Sequence, residues 1–145
     1  MIRGAFKSNI VQTIIGVLVP FVQLFALYVV IHGHYGPGGG FQGGVLLGIS
    51  IILQRFSIGR EASYKKFKPE TAVVFAAVGL LIFAITGLIP LLLGASFLDY
   101  GNLPIFWVHG AELRGLGILI VEIGIALGVF GTMVAVFDTL SGKEW

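Results

Sequence analysis

Four long apolar runs, separated by short polar segments, make up most of this 145-residue chain. A bilayer core about 30 Å thick is crossed by about 20 apolar residues, because a helix rises 1.5 Å per residue. The runs therefore predict an all-α membrane protein of one domain, with transmembrane helices over residues 10–31, 40–58, 71–95 and 115–137. Pro20 and Pro90 fall inside spans, which membrane helices tolerate where neighbours satisfy the freed carbonyl.

The composition agrees with a membrane protein. Hydrophobic residues make up 57% of the chain and charged residues 11%, with a mean hydropathy of +0.99, whereas soluble domains carry roughly 25% charged residues. The chain has no cysteine, which excludes disulfides, thiolate metal sites and iron–sulfur ligation. Its formal charge of +2 does not indicate nucleic-acid binding, since the basic residues lie at the ends of spans, where membrane topology explains them.

The basic residues predict the orientation of the spans. All but Arg114 lie on one side of the predicted membrane, before the first span, around the central loop or after the fourth span: Arg3, Lys7, Arg55, Arg60, Lys65, Lys66, Lys68 and Lys143. By the positive-inside rule, both termini and the central loop face the cytoplasm. We predict a multi-pass protein of the plasma membrane, in contact with the lipid bilayer.

A glycine-rich stretch, GHYGPGGGFQGG at residues 33–44, joins the first two spans. It formally satisfies G-x-G-x-x-G, but a dinucleotide site needs a preceding strand and a soluble βαβ unit, which are missing here. Residues 36–39 are typical of a tight turn. Gly40, Gly44 and Gly48 recur every four residues, which is typical of a close helix contact. Direct contact between a substrate and the backbone at the start of the second span stays open.

Glu122 is an ionisable residue inside the fourth predicted span, about seven positions or 10 Å below its outer start. A charge at that depth costs a few kcal/mol, so Glu122 should face protein or water. It is either a protonatable or cation-binding group beside an ion path, or a neutral, hydrogen-bonded packing acid, or an acid that snorkels outward. His32 and His34, near the outer surface, could relay protons at the end of such a path, although loop hydrogen bonding is the commoner use. We predict no metal site and no cofactor.

The fourth span carries two faces that should avoid lipid. Four glycines share one face, and Glu122 lies on nearly the opposite face: Gly117, Gly124, Gly128 and Gly131. A protein of four helices standing alone would rarely need both, so this pattern predicts burial within a larger assembly. No Lys or Arg is predicted deep within a span.

The glycine stretch resembles the signature of the B subunit of Mrp-type (Mnh) multisubunit Na+/H+ antiporters. The matching positions are Gly33, His34, Pro37, Gly38, Gly39, Gly40, Phe41, Gly43 and Gly44. Members often carry Asn after the histidine, where this chain has Tyr35. The likeness covers nearly the whole chain. It implies a non-catalytic subunit that helps to form or seal a Na+ and H+ path beside large proton-channel subunits. Related subunits also occur in archaeal membrane-bound hydrogenase and sulfane-sulfur reductase complexes, and the sequence does not separate these hosts.

Two alternatives belong to other functional classes. The chain could be a small autonomous proton-coupled exporter that uses Glu122, although the residues one turn away, such as Ile118 and Ala126, would give a plain cavity. It could also be a haem- or quinone-binding membrane anchor that uses its histidines, which all lie toward one leaflet.

Overall fold

The computed structural model describes residues 8–33 and 38–141. In these residues the chain forms five α-helices and one 3₁₀ turn, with no strand. The helices are α1 (Asn9–His32), α2 (Gly40–Ile58), α3 (Arg60–Lys66), α4 (Pro69–Leu92) and α5 (Ala111–Ser141), and the 3₁₀ turn is Tyr100–Asn102. Helices α1, α2, α4 and α5 are long and apolar enough to cross a membrane. The prediction of an all-α membrane protein with four spans is thus confirmed.

Several residues of the predicted patterns lie outside the described residues. They are His34 and Pro37 of the glycine motif, Tyr35, and Arg3, Lys7 and Lys143 of the charge pattern.

The helix ends follow local chemistry. Pro69 occupies the first turn of α4, where its fixed φ suits a helix and its missing N–H removes no hydrogen bond. Helix α1 continues through Pro20 and α4 through Pro90. Helix α5 has 31 residues and extends beyond the predicted span at both ends. The short α3 was not predicted, because its sequence is too brief and polar to stand out from a loop.

The long helices pack in the order α1, α2, α5, α4, so α2 and α5 are central. Helices α2 and α5 run parallel. On its other side α5 packs against α4, where Gly124 contacts Gly79 and Gly131 contacts Ala72 and Ala76. Both special faces of α5 are therefore covered within this chain. Contacts within this chain thus account for the two faces, and the larger assembly predicted from them is supported by the comparisons with known proteins reported below.

The apolar core lies at the end of the bundle where α3 is found. Ile51, Ala72, Phe130 and Val134 are buried there. The rings of Phe67 and Phe75 each lie 5.5 Å from the ring of Phe130. On the outer sides of α1 and α4, by contrast, large apolar side chains such as Phe21 and Leu80 are exposed. Such exposure is expected for surfaces that contact lipid. We call the end of the bundle that contains the core the α3 end, and the opposite end, where α1 ends and α2 begins, the glycine end.

Candidate functional site

Glu122 lies at the glycine end, where α1 ends, α2 begins and α5 passes. A Cβ atom placed on Gly33 would lie 2.6 Å from the Glu122 Oε1 atom, and one on Gly39 would lie 3.5 Å from it. The carboxylate therefore rests on the backbone of the connection between α1 and α2. A larger residue at position 33 would displace it.

Gly39 shapes this connection. Its φ of 128° and ψ of 172° fall in a region that residues with a Cβ atom rarely adopt. The Gly39 N–H donates to the Val29 carbonyl at 3.2 Å, and the Gly39 carbonyl accepts from the Gly43 N–H at 3.0 Å. The chain thus folds directly back onto the end of α1 and starts α2 from there.

Gly40 brings the start of α2 onto the backbone of α5. A Cβ atom on Gly40 would overlap the Glu122 carbonyl and would lie 3.0 Å from the Glu122 Cα atom. This approach is possible only without a side chain at position 40. It brings the start of α2 and the turn before it next to Glu122.

The second carboxylate oxygen, Oε2, is buried and has no hydrogen-bond partner within residues 8–33 and 38–141. A buried oxygen without a partner costs more free energy when it is charged than when it is neutral. The start of α2 offsets part of this cost, because its first turn carries no acidic side chain and no side-chain cap and a helix N-terminus favours nearby negative charge. The Oε2 atom of Glu122 is thus a buried carboxylate oxygen without a partner among the described residues, close to the start of α2.

The two other predicted ion-path residues differ in their placement. The ring of His32 is exposed and stacks on Tyr28, with 4.1 Å between ring centroids. No hydrogen bond or ion pair joins His32 to Glu122 in the described residues. His34 is outside them. Across the same described ranges, no three His, Cys, Asp or Glu side chains are grouped as metal ligands.

The remaining described glycines lie in α2 or in the turn just before it, and they face two different neighbours. Gly38 and Gly43 face α1: a Cβ atom on either would lie 2.9 Å from a backbone carbonyl there, of Val29 and Ala26 respectively. Gly44 and Gly48 face α5. Phe41, by contrast, is exposed on the first turn of α2. Glycine thus lets α2 sit against both neighbours at once.

A buried ion pair at the α3 end was not predicted. The Arg55 Nη2 atom donates to the Asp138 Oδ2 atom at 2.8 Å, and the two side chains are 1% and 5% exposed. Arg55 also donates to the Ser63 hydroxyl at 2.9 Å and to the Phe67 carbonyl at 3.0 Å. One guanidinium therefore connects α2, α3, the turn before α4, and α5.

Tyr64 completes this cluster. Its hydroxyl donates to the Asp138 Oδ1 atom at 3.4 Å, and the Arg55 guanidinium lies 4.5 Å from its ring centroid. Burial raises the pKa of Tyr64, and the negative charge of Asp138 adds to the rise. The phenol therefore stays neutral, as a hydrogen-bond donor to the carboxylate, at physiological pH. A cleft of about 260 Å³ opens beside Asp138, Tyr64, Glu70 and Thr139.

The sequence carried a signal for this pair. Arg55 was interpreted as a topology determinant, and Asp138 follows the predicted end of the fourth span by one residue. The signal in the sequence is that a basic residue and an acidic residue stand at the ends of two spans that are predicted to lie on the same side of the membrane. Arg55 is buried but stands in the last turn of α2, so it does not contradict the expectation that no Lys or Arg lies deep within a span.

Comparison with known proteins decides the family. A family model described as "Domain related to MnhB subunit of Na+/H+ antiporter" matches residues 10–135. The chain belongs to the MnhB family. An MnhB relative from Staphylococcus haemolyticus (strain JCSC1435), named antiporter subunit mnhB2, is 31% identical over 140 residues, which cover 95% of this chain and 99% of the relative. A protein of the same name from Staphylococcus aureus (strain Newman) is 32% identical over 138 residues, which cover 94% of this chain and 96% of that relative.

Part of a solved structure has a fold similar to that of this chain. It is titled "Structure of Mrp complex from Dietzia sp. DQ12-45-1b" and matches with a TM-score of 0.68 and 27% identity over 96% of this chain. The present chain spans 16% of the matched chain, which is therefore much longer. The predicted resemblance to the Mrp-type B subunit is confirmed. Membership in the MnhB family indicates one multi-pass membrane subunit of a multisubunit antiporter, and it favours neither the autonomous exporter nor the haem or quinone anchor.

Proposed function

We propose that this chain serves a Mrp-type Na+/H+ antiporter of the plasma membrane and that Glu122 is a carboxylate on its ion path. The buried Oε2 atom of Glu122, without a partner among the described residues, carries this proposal. Ionisable groups inside membranes are rare and usually functional. Here the carboxylate lies beside the turn that leads into α2, and the starts of membrane helices are places where ions bind in transport proteins.

The remainder of the chain supports a contributing role rather than a complete pump. Arg55 is the one Lys or Arg that is buried in the described part of the four spans, and it is already paired with Asp138. A relay of alternating lysine and carboxylate groups is thus absent from these residues. Large proton-channel subunits would hold it, and this chain would form or seal part of the Na+ and H+ route beside them.

The Glu122→Gln variant tests this function. Glutamine keeps the size of the side chain but does not titrate, so we expect the initial rate of Na+-dependent H+ release from everted vesicles to fall about tenfold or more, which corresponds to about 1.4 kcal/mol or more in the barrier. Glu112→Gln is the matched control, because Glu112 is exposed in the first turn of the same helix. Wild-type exchange by an assembled Glu122→Gln complex would make Glu122 a packing residue.

The host complex is identified by its co-purifying subunits. We expect large multi-span subunits to accompany this chain in mild detergent. Their presence alone indicates a free-standing antiporter driven by a proton gradient. A nickel–iron or flavin-bearing arm in addition would indicate a redox-driven host of the hydrogenase or sulfane-sulfur reductase type.

A further inference from the structure

Helices α2 and α5 make specific contacts at both ends of their parallel interface. At the glycine end Gly40 lies on the backbone of Glu122, and at the α3 end Arg55 pairs with Asp138. Glu122 and Asp138 are 16 positions apart on α5, which corresponds to about 24 Å along a helix. Between these ends the contact is made through Gly44 and Gly48.

This middle stretch fits closely but is repetitive. A Cβ atom on Gly44 would lie 3.0 Å from the Val129 Cβ atom, and one on Gly48 would lie 3.1 Å from the Met133 Cβ atom. Because the glycines recur every four residues, sliding α2 along α5 by one repeat, about 6 Å, places one glycine where another had been. A repetitive glycine surface of this kind lets the two helices pack closely, but it does not determine how far one helix is displaced along the other.

The ion pair is not repetitive. Ile51 and Val134, one repeat before Arg55 and Asp138, are both apolar and buried. A slip by one repeat would therefore separate the charges. With Gly48 at the level of Val129, Arg55 would lie at the level of the apolar Val134 and Asp138 would lose its counter-charge. Buried ion pairs add little net stability compared with apolar replacements, but fixing the register of a helix contact is their best-attested use.

We propose that the Arg55–Asp138 pair fixes the axial register of α2 against α5 and so positions Glu122 against Gly33 and Gly39. Ser63 and the Phe67 carbonyl hold the guanidinium from the α3 side, which leaves it one orientation toward α5. Arg55 and Asp138 are positioning residues in this scheme. The register itself is independent of the function proposed above, whereas its consequence for Glu122 rests on that function.

Cysteine cross-linking measures the register directly, since the chain has no cysteine of its own. Gly48→Cys with Met133→Cys reports the native register, because the two Cβ positions lie 3.1 Å apart, close to the disulfide range. Gly48→Cys with Val129→Cys reports a slip of one repeat. In the intact complex we expect the native pair to cross-link and the slipped pair to stay largely reduced, as judged by maleimide labelling and mass spectrometry of the linked peptides.

The variant background is Arg55→Met with Asp138→Met, which replaces the pair by apolar side chains of comparable length. We expect the slipped pair to cross-link severalfold more in this background and the native pair correspondingly less, with a parallel loss of Na+-dependent exchange. If only the native pair still cross-links, the glycine stripe sets the register by itself and the proposal is wrong. If the double variant does not accumulate, Asp138→Asn replaces it in the same cross-linking test. Cross-linking of only the native pair in Asp138→Asn would likewise show that the proposal is wrong.

Exchange and cross-linking together separate the two proposals. Slipped cross-linking with wild-type exchange would refute the positioning of Glu122. A Glu122→Gln complex with wild-type exchange would refute the ion-path role and would leave the cross-linking result unaffected.

Discussion

Replacing Asp138 with methionine should destabilise the chain by about 3–5 kcal/mol, because the Arg55 guanidinium is left buried without a counter-charge. Arg55→Met should have a loss of similar size, since it strands the carboxylate and removes the hydrogen bonds to Ser63 and the Phe67 carbonyl. The double variant should be more stable than either single variant. Chain abundance in membranes and thermal unfolding in detergent measure these differences.

Lys65→Met is the matched control for these variants. It also exchanges a cationic side chain for methionine, but Lys65 is exposed on α3, and surface substitutions usually change stability by no more than about 0.5 kcal/mol. Additive losses in the double variant would contradict the pairing of the two charges. In that case each side chain would contribute through its own packing, and the argument for a register device would lose its basis.

The spans could be predicted because bilayer thickness dictates their length. Helix α2 has the predicted bounds, since polar residues stand close to both of its ends. Helix α5 is longer than predicted, because Glu112 and Asp138 interrupt the apolar pattern near its ends. A hydropathy average over a sequence window assigns Asp138 the same polar value whether the side chain is buried in an ion pair or exposed to water. The partner that makes such burial tolerable lies on another helix and does not enter the pattern.

The site was predicted in separate parts but not as a unit. Glu122 was recognised by its depth in a span, and the glycine motif by its spacing. Their contact depends on α5 packing beside α2 rather than on any local period, so the sequence pattern did not show it. His32 shows the same limit of local sequence patterns. Its residue type made it a candidate for the ion path, but its position on α1 directs the ring to the exposed stack with Tyr28.

Gly44→Leu should prevent accumulation of the assembled complex. A Cβ atom at this position would lie 2.6 Å from the Ala126 carbonyl oxygen, and a helix backbone can yield only by moving α2 away from α5. Overpacking in a close-packed core typically costs about 1–3 kcal/mol, and here the displaced helix also carries the turn that holds Glu122. Co-purification of the other subunits with the tagged variant measures the effect.

Gly16→Leu makes the same chemical change in α1 without the same contact. Gly16 is exposed, and a Cβ atom there would meet nothing within 4 Å in this chain. Both substitutions add one leucine to a span and replace a poor helix former with a good one, so insertion and helix propensity change alike. We therefore expect Gly16→Leu to accumulate at the wild-type level. Since composition is identical in the two variants, a difference between them isolates the contact of α2 with α5, and equal accumulation would show that this contact has room for a side chain.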